Sequence, residues 1–189
     1  KSKLRLIVIY PGVGYGHADF VVGKVNALLR SDRFLVVIPF SHDTSWSAVQ
    51  QDIERFSVNN EVELDYDTLI GWSGGSAGVA SATAFGHPFS RVWLADPSPR
   101  NDLTSDPRIE MWYQPNNWTG QYASLGPLQS QMAEYMGDRA HLSDMSHDAI
   151  LESVVSSALL PSISKTVVLV GALAVTGLSL ALWRALRKR

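Results

Sequence analysis

TLIGWSGGSAG, residues 68–78, is the stretch whose folding decides the architecture. Thr68, Leu69 and Ile70 form a short apolar, partly β-branched run, read as a buried strand over residues 68–70 that starts no earlier than Tyr66. Residues 73–85 that follow are rich in Ser, Ala and Gly and compatible with a helix. A strand therefore runs through a glycine-flanked serine directly into a helix.

The same alternation extends outward. Residues 4–10 (LRLIVIY) read as a buried strand ended by Pro11-Gly12. Residues 18–29 carry Phe20, Val21, Val25, Leu28 and Leu29 at helical spacing. Residues 34–40 (FLVVIPF) read as a second strand, and residues 47–56 as a helix with Trp46, Val49, Ile53 and Phe56 on one face. Residues 91–95 (RVWLA) read as a fourth strand and residues 146–160 as a last helix. Strands alternating with helices predict an α/β fold, a small doubly wound parallel sheet with helices on both faces. Residues 97–126 are rich in Pro, Asn, Asp, Trp and Gly and are expected to be irregular. No final strand is expected between residues 100 and 146, and there is no internal repeat.

The chain has 189 residues, 46% hydrophobic and 18% charged, which suits one domain and leaves little room for two. Its formal charge of −2 hides an asymmetry. Residues 165–189 hold five bases and no acid, so residues 1–164 keep 11 of the 16 bases against all 18 acids, about −7. Nucleic acid is not an expected partner of such an acidic domain. The absence of cysteine excludes a disulfide scaffold, a thiolate zinc site and a thiol nucleophile.

Residues 166–183 (TVVLVGALAVTGLSLALW) are 18 residues without a charge. As a helix they would extend roughly 27 Å, close to the ~30 Å hydrocarbon core of a bilayer. Trp183 and the basic residues 184–189 follow as an interfacial aromatic and a positive flank would. The expected organisation is a domain over residues 1–160, a linker over 161–165, a transmembrane helix over 166–183 and a basic tail over 184–189. With the positive flank on the cytoplasmic side, the acidic domain is expected outside the cytoplasm. A tail-anchored orientation facing the cytosol is the competing topology.

Gly71-Trp72-Ser73-Gly74-Gly75 is G-x-S-x-G in a strand–turn–helix setting, the context in which the pattern carries chemistry. A serine on a tight, strained turn projects Oγ above the sheet, and side chains two positions before and after it would clash with the neighbouring strand and helix. The helix N-terminus adds donors for a developing oxyanion. A second frame, Gly74-Gly75-Ser76-Ala77-Gly78, has no strand leading into it and would put Ser76 about one turn inside the helix. Ser73 is the expected nucleophile and Ser76 the alternative.

With Pro11-Gly12-Val13-Gly14-Tyr15-Gly16 after the first strand and G-W-S-G-G after the third, residues 4–100 resemble the core of the α/β-hydrolase superfamily. The small cutinase-like serine esterases, including the phage lysin B esterases, are the nearest group. Asp96-Pro-Ser-Pro-Arg100 is similar to that group, and so is the region near His147. The chain departs from it in having Trp72 and Gly74 where those esterases usually carry Tyr and Gln. The resemblance implies a serine esterase or lipase-like hydrolase needing no cofactor.

Acyl transfer needs a base for the serine proton and an acid to orient the base. The hydrolase order along the chain is Ser, acid, His, which leaves His147 and, as alternative, His141; His17, His42 and His87 come too early. Asp96 follows the fourth strand, at the C-terminal sheet edge where ligands bind in such folds; its plainer role would be to cap a turn before Pro97. In cutinase-like esterases the acid often comes later, which keeps Asp138 and Asp144 open. The oxyanion hole would use the N–H of Gly74 and a second N–H from Gly12 or Val13. No metal-ligand pattern is present. Lipid or other esters are the expected substrates, with the bilayer engaged through the C-terminal helix. The alternative is a hydrolase-like domain without catalysis, serving as a membrane-tethered binding or assembly module.

Overall fold

The computed structural model describes residues 3–14, 16–29 and 33–159. The expected transmembrane segment, linker and basic tail lie outside the described residues, among which no helix is long and apolar enough to cross a membrane. The described elements are β1 (Lys3–Tyr10), α1 (His17–Leu28), β2 (Phe34–Val37), α2 (Trp46–Asn60), β3 (Glu63–Trp72), α3 (Ser76–Ala84), β4 (Arg91–Ala95), β5 (Ile109–Tyr113), α4 (Leu125–Met136), β6 (Ala140–Leu142) and α5 (His147–Leu159). They form an α/β fold with one six-stranded sheet, ordered β2-β1-β3-β4-β5-β6. Every pairing is parallel.

The near-continuous apolar strands are explained by burial on both faces. In β1, Leu6, Val8 and Tyr10 join the core under α2, α3 and α4, while the intervening Ile7 and Ile9 join the core under α1 and α5. The same period of two sorts Leu35 from Val36, Leu69 from Ile70 and Leu94 from Trp93.

The stretch expected to be irregular is the main departure. Residues 109–113 form β5, residues 125–136 form α4 and residues 140–142 form β6. The strand expected to be missing is therefore present twice over. β5 (IEMWY) buries Ile109 and Met111 and leaves Glu110, Trp112 and Tyr113 half-buried. That half-polar strand is short and flanked by Pro and Asn, so its periodicity is weak in the sequence. β6 has only three residues, none of them buried. At the other end β2 stops at Val37, because Pro39 cannot donate to a ladder.

β3 is longer than expected. Its register against β1 shifts between Leu6 and Ile7, which pair with Tyr66 and Thr68 and leave Asp67 as the extra residue of a bulge. The Asp67 carboxylate is held by Arg5 of β1 at 2.5 Å and Arg91 of β4 at 2.8 Å, tying the three central strands together.

The chain winds outward from β1 to β2, then returns to place β3 on the other side of β1. The connections after β1 and β3 diverge there, opening a crevice at the C-terminal sheet edge. Residues 11–14, Gly16 and Ser73 sit at this switch point. α5, about 20 Å long, starts at the same edge with His147 and carries the chain toward the opposite edge at Leu159.

His87, in the connection from α3 to β4, is 3% exposed, and its Nδ1 accepts the Phe89 N–H at 3.2 Å. Burial, then the charge of Arg108, hold its pKa down to about 4, against a smaller opposing pull from Asp106. The fold thus favours the neutral ring. The resulting stability is complete above the unfolded value of 6.5 and is lost as pH falls from there through about 4. His87→Asn keeps an acceptor but does not titrate. Urea unfolding near pH 7 and near pH 5 should show a smaller acid loss for His87→Asn than for the wild type. Equal losses would exclude His87 as the group responsible.

Candidate functional site

Ser73 directly follows β3 with φ +54°, one of three non-glycine residues in the left-handed region among those described. Such a conformation is sparsely populated for L-residues and is held by its surroundings. A Cβ on Gly71 would lie 2.7 Å from Val79 Cγ2 of α3 and 3.0 Å from the Gly75 carbonyl. A Cβ on Gly75 would lie 2.3 Å from the Tyr10 carbonyl and 2.8 Å from that of Pro11. Only hydrogen fits at these positions two before and two after the serine, so β3, α3 and the end of β1 close tightly around Ser73.

The connection after β1 folds over the same turn. A Cβ on Gly12 would stand 3.2 Å from Ser73 Cβ, and one on Gly74 would stand 3.2 Å from the Val13 backbone nitrogen. Gly12, Val13 and Gly74 are thereby gathered beside the serine. His17, the first residue of α1, packs against Trp72 with ring centroids 5.4 Å apart.

Asp96 directly follows β4, also at positive φ (+44°), and is fully buried. A buried carboxylate costs several kcal/mol unless donors replace its water. Here Oδ2 accepts from His147 Nδ1 at 2.7 Å and Asn117 Nδ2 at 2.9 Å. Oδ1 accepts from the Gln114 N–H at 3.0 Å and Gln129 Nε2 at 2.9 Å. Burial pushes the carboxyl pKa up, but the bonds from His147, Gln114, Asn117 and Gln129 together outweigh it and hold the group below its ordinary value. Asp96 is therefore an anion across the neutral range.

His147 is the first residue of α5 and not part of the preceding loop. Its ring lies 5.1 Å from the Trp72 indole and 5.5 Å from that of Trp118. Trp72 directly precedes Ser73, so the indole that braces the imidazole belongs to the same turn as the serine. With Nδ1–H donated to Asp96, a neutral ring leaves Nε2 as a lone-pair acceptor. Ser73, Asp96 and His147 come from β3, β4 and α5 and share one sheet edge.

The alternatives lie elsewhere. Ser76 is the first residue of α3, not one turn inside it, and is 1% exposed; its Oγ donates to the Ser98 carbonyl at 2.9 Å. Ser98 N–H in turn donates to the Ser73 carbonyl at 2.9 Å, so Ser76 helps clamp the segment after β4 onto the turn. His141 pairs with Glu110 at 3.3 Å and lies against Trp112. Asp138 and Asp144 are both exposed, Asp138 in the turn before β6 and Asp144 in the connection after it. Among the described residues no group of three or more His, Asp or Glu side chains converges as a metal site would.

Gln114, Asn117 and Gln129 carry no signature in the sequence that marks them as partners of Asp96. Asn117 opens the Asn117-Trp118-Thr119 sequon, yet its amide nitrogen is spent on Asp96 and the Met145 carbonyl. Against known proteins, the chain matches no family model, no curated protein and no solved structure.

The packing around the turn makes a stability contrast. Gly75→Ala drives a methyl into backbone and is expected to destabilise by roughly 1–3 kcal/mol. Gly23→Ala, on α1 with nothing within 4 Å, is expected to stabilise by roughly 0.5–1 kcal/mol. Chemical denaturation of both variants checks the pair.

Proposed function

We propose that the chain is a serine hydrolase of carboxylic esters, built as a minimal α/β-hydrolase domain and anchored to a membrane by residues 166–183. The observation that carries this is the 2.7 Å bond from His147 Nδ1 to a buried, four-times-bonded Asp96, on the sheet edge where Ser73 occupies its strained turn. A histidine held by an anionic carboxylate, packed on the tryptophan that precedes a serine between obligatory glycines, supports acyl transfer.

In this mechanism Ser73 Oγ attacks the ester carbonyl carbon while its proton passes to His147 Nε2. Asp96 fixes the tautomer and balances the imidazolium. The carbonyl oxygen becomes an oxyanion, met by the backbone N–H of Gly74 and that of Val13 or Gly12. The tetrahedral adduct collapses, the C–O bond to the alcohol breaks, and the alcohol leaves with the proton from His147. Water activated by the same histidine then cleaves the acyl-serine and regenerates the hydroxyl.

A catalytically silent binding module draws its support from a missing strand and an unassigned acid. The presence of β5 and β6 and the bond between Asp96 and His147 support the hydrolase reading over that one.

A fluorophosphonate probe should label the wild type and Ser76→Ala but not Ser73→Ala. Equal labelling of wild type and Ser73→Ala would remove Ser73 as nucleophile. Turnover of a p-nitrophenyl ester should fall by roughly 10⁴-fold in Asp96→Asn, with KM little changed and circular dichroism intact, because the amide favours the wrong imidazole tautomer. A loss confined to KM would give Asp96 a merely structural role.

A further inference from the structure

A cavity of about 350 Å³ opens beside the Ser73 turn, between the connection after β1, the first turns of α1 and the segment after β2. Its apolar side-chain walls are Ala18 and Val22 of α1 with Ile38 and Phe40 beyond β2, and the backbone of Gly12 and Gly14 closes another side. It runs from the core to the surface, since Ile38 is 1% and Phe40 61% exposed. Its size falls within the range of small-molecule sites. Gly12 joins the cavity to the serine, because a Cβ there would stand 3.2 Å from Ser73 Cβ.

We infer that this cavity is the acyl site and selects esters of neutral, apolar acyl chains of intermediate length. The inference rests on the hydrolase reading above. Sheet order assigns the two halves of the substrate. Asp96 follows β4 on one side of Ser73, whereas β1 and β2, whose ends border the cavity, lie on the other. The departing alcohol takes its proton from His147 and so occupies the Asp96–His147 side. The acyl chain then points toward β1 and β2, into the cavity. The exposed Asp19 carboxylate also borders the cavity, and Asp43 lies just beyond His42, so an anionic acyl group meets like charge. A flexible apolar chain loses water against Val22, Ile38 and Phe40, and each methylene it seats adds to discrimination.

The test compares p-nitrophenyl acetate, butyrate and octanoate on the full chain, reading kcat/KM for each. The wild type is expected to favour octanoate over acetate. Val22→Trp fills the cavity and should lower the octanoate-to-acetate ratio by about tenfold or more. Phe40→Ala strips an exposed wall, spares the core, and should lower the same ratio by a smaller factor. A ratio unchanged in both variants, while both still hydrolyse acetate and bind the fluorophosphonate probe, overturns the acyl site and leaves the hydrolase reading standing. A wild type that neither turns over any ester nor takes the probe overturns both.

Discussion

The carboxylate of Asp96 is buried without contact with water, and a charge in that position survives only if protein donors surround it. The donors come from three parts of the chain: Gln114 and Asn117 just beyond β5, Gln129 within α4, and His147 at the start of α5. Removing any one donor leaves a lone pair facing protein, so these elements are tied to one another through a single side chain. Residues 97–146, which look like a long irregular insertion, are organised by that requirement. Gln114 also reaches the Ser143 carbonyl and Asn117 the Met145 carbonyl, which draws the connection before α5 into place.

The second constraint is steric and acts at the switch point. The carbonyls of Tyr10 and Pro11 stand where a Cβ of Gly75 would be, and the Tyr10 ring stands where a Cβ of Gly78 would be. β1 therefore packs against the turn and first turn of α3 more closely than any side chain allows. That closeness brings Val13 over Gly74 and Gly12 over Ser73. The strained φ of Ser73 and the gathering of backbone N–H groups beside it are two results of the same packing. Dense packing transmits such placement with little slack, so a serine, a histidine brace and a loop of glycines become one rigid edge.

Aromatic packing links the two constraints. Phe20 stacks on Trp72, Trp72 lies against His147, and His147 lies against Trp118. The row runs from α1 across the end of β3 to the segment after β5. The imidazole is thus held by one hydrogen bond at Nδ1 and by contacts with two indoles.

Local patterning in the chain is strong wherever a segment is buried on both faces. Residues 4–10, 34–40, 68–70 and 91–95 read as strands because unbroken apolar runs are readily buried on both faces of a sheet, and G-x-S-x-G after one of them marks Ser73. The order Ser, acid, His and the end of β4 point to Asp96 and His147. What the sequence could not determine was β5, α4 and β6, whose residues are half-exposed and whose periodicity is correspondingly faint. Nor could it choose among Asp96, Asp138 and Asp144, or between His141 and His147, since each choice depends on which side chains meet across about 50 residues of chain. Tertiary structure decided which of these side chains meet, by the energetics of burial: Asp96 lies inside the protein and collects four donors, His147 among them.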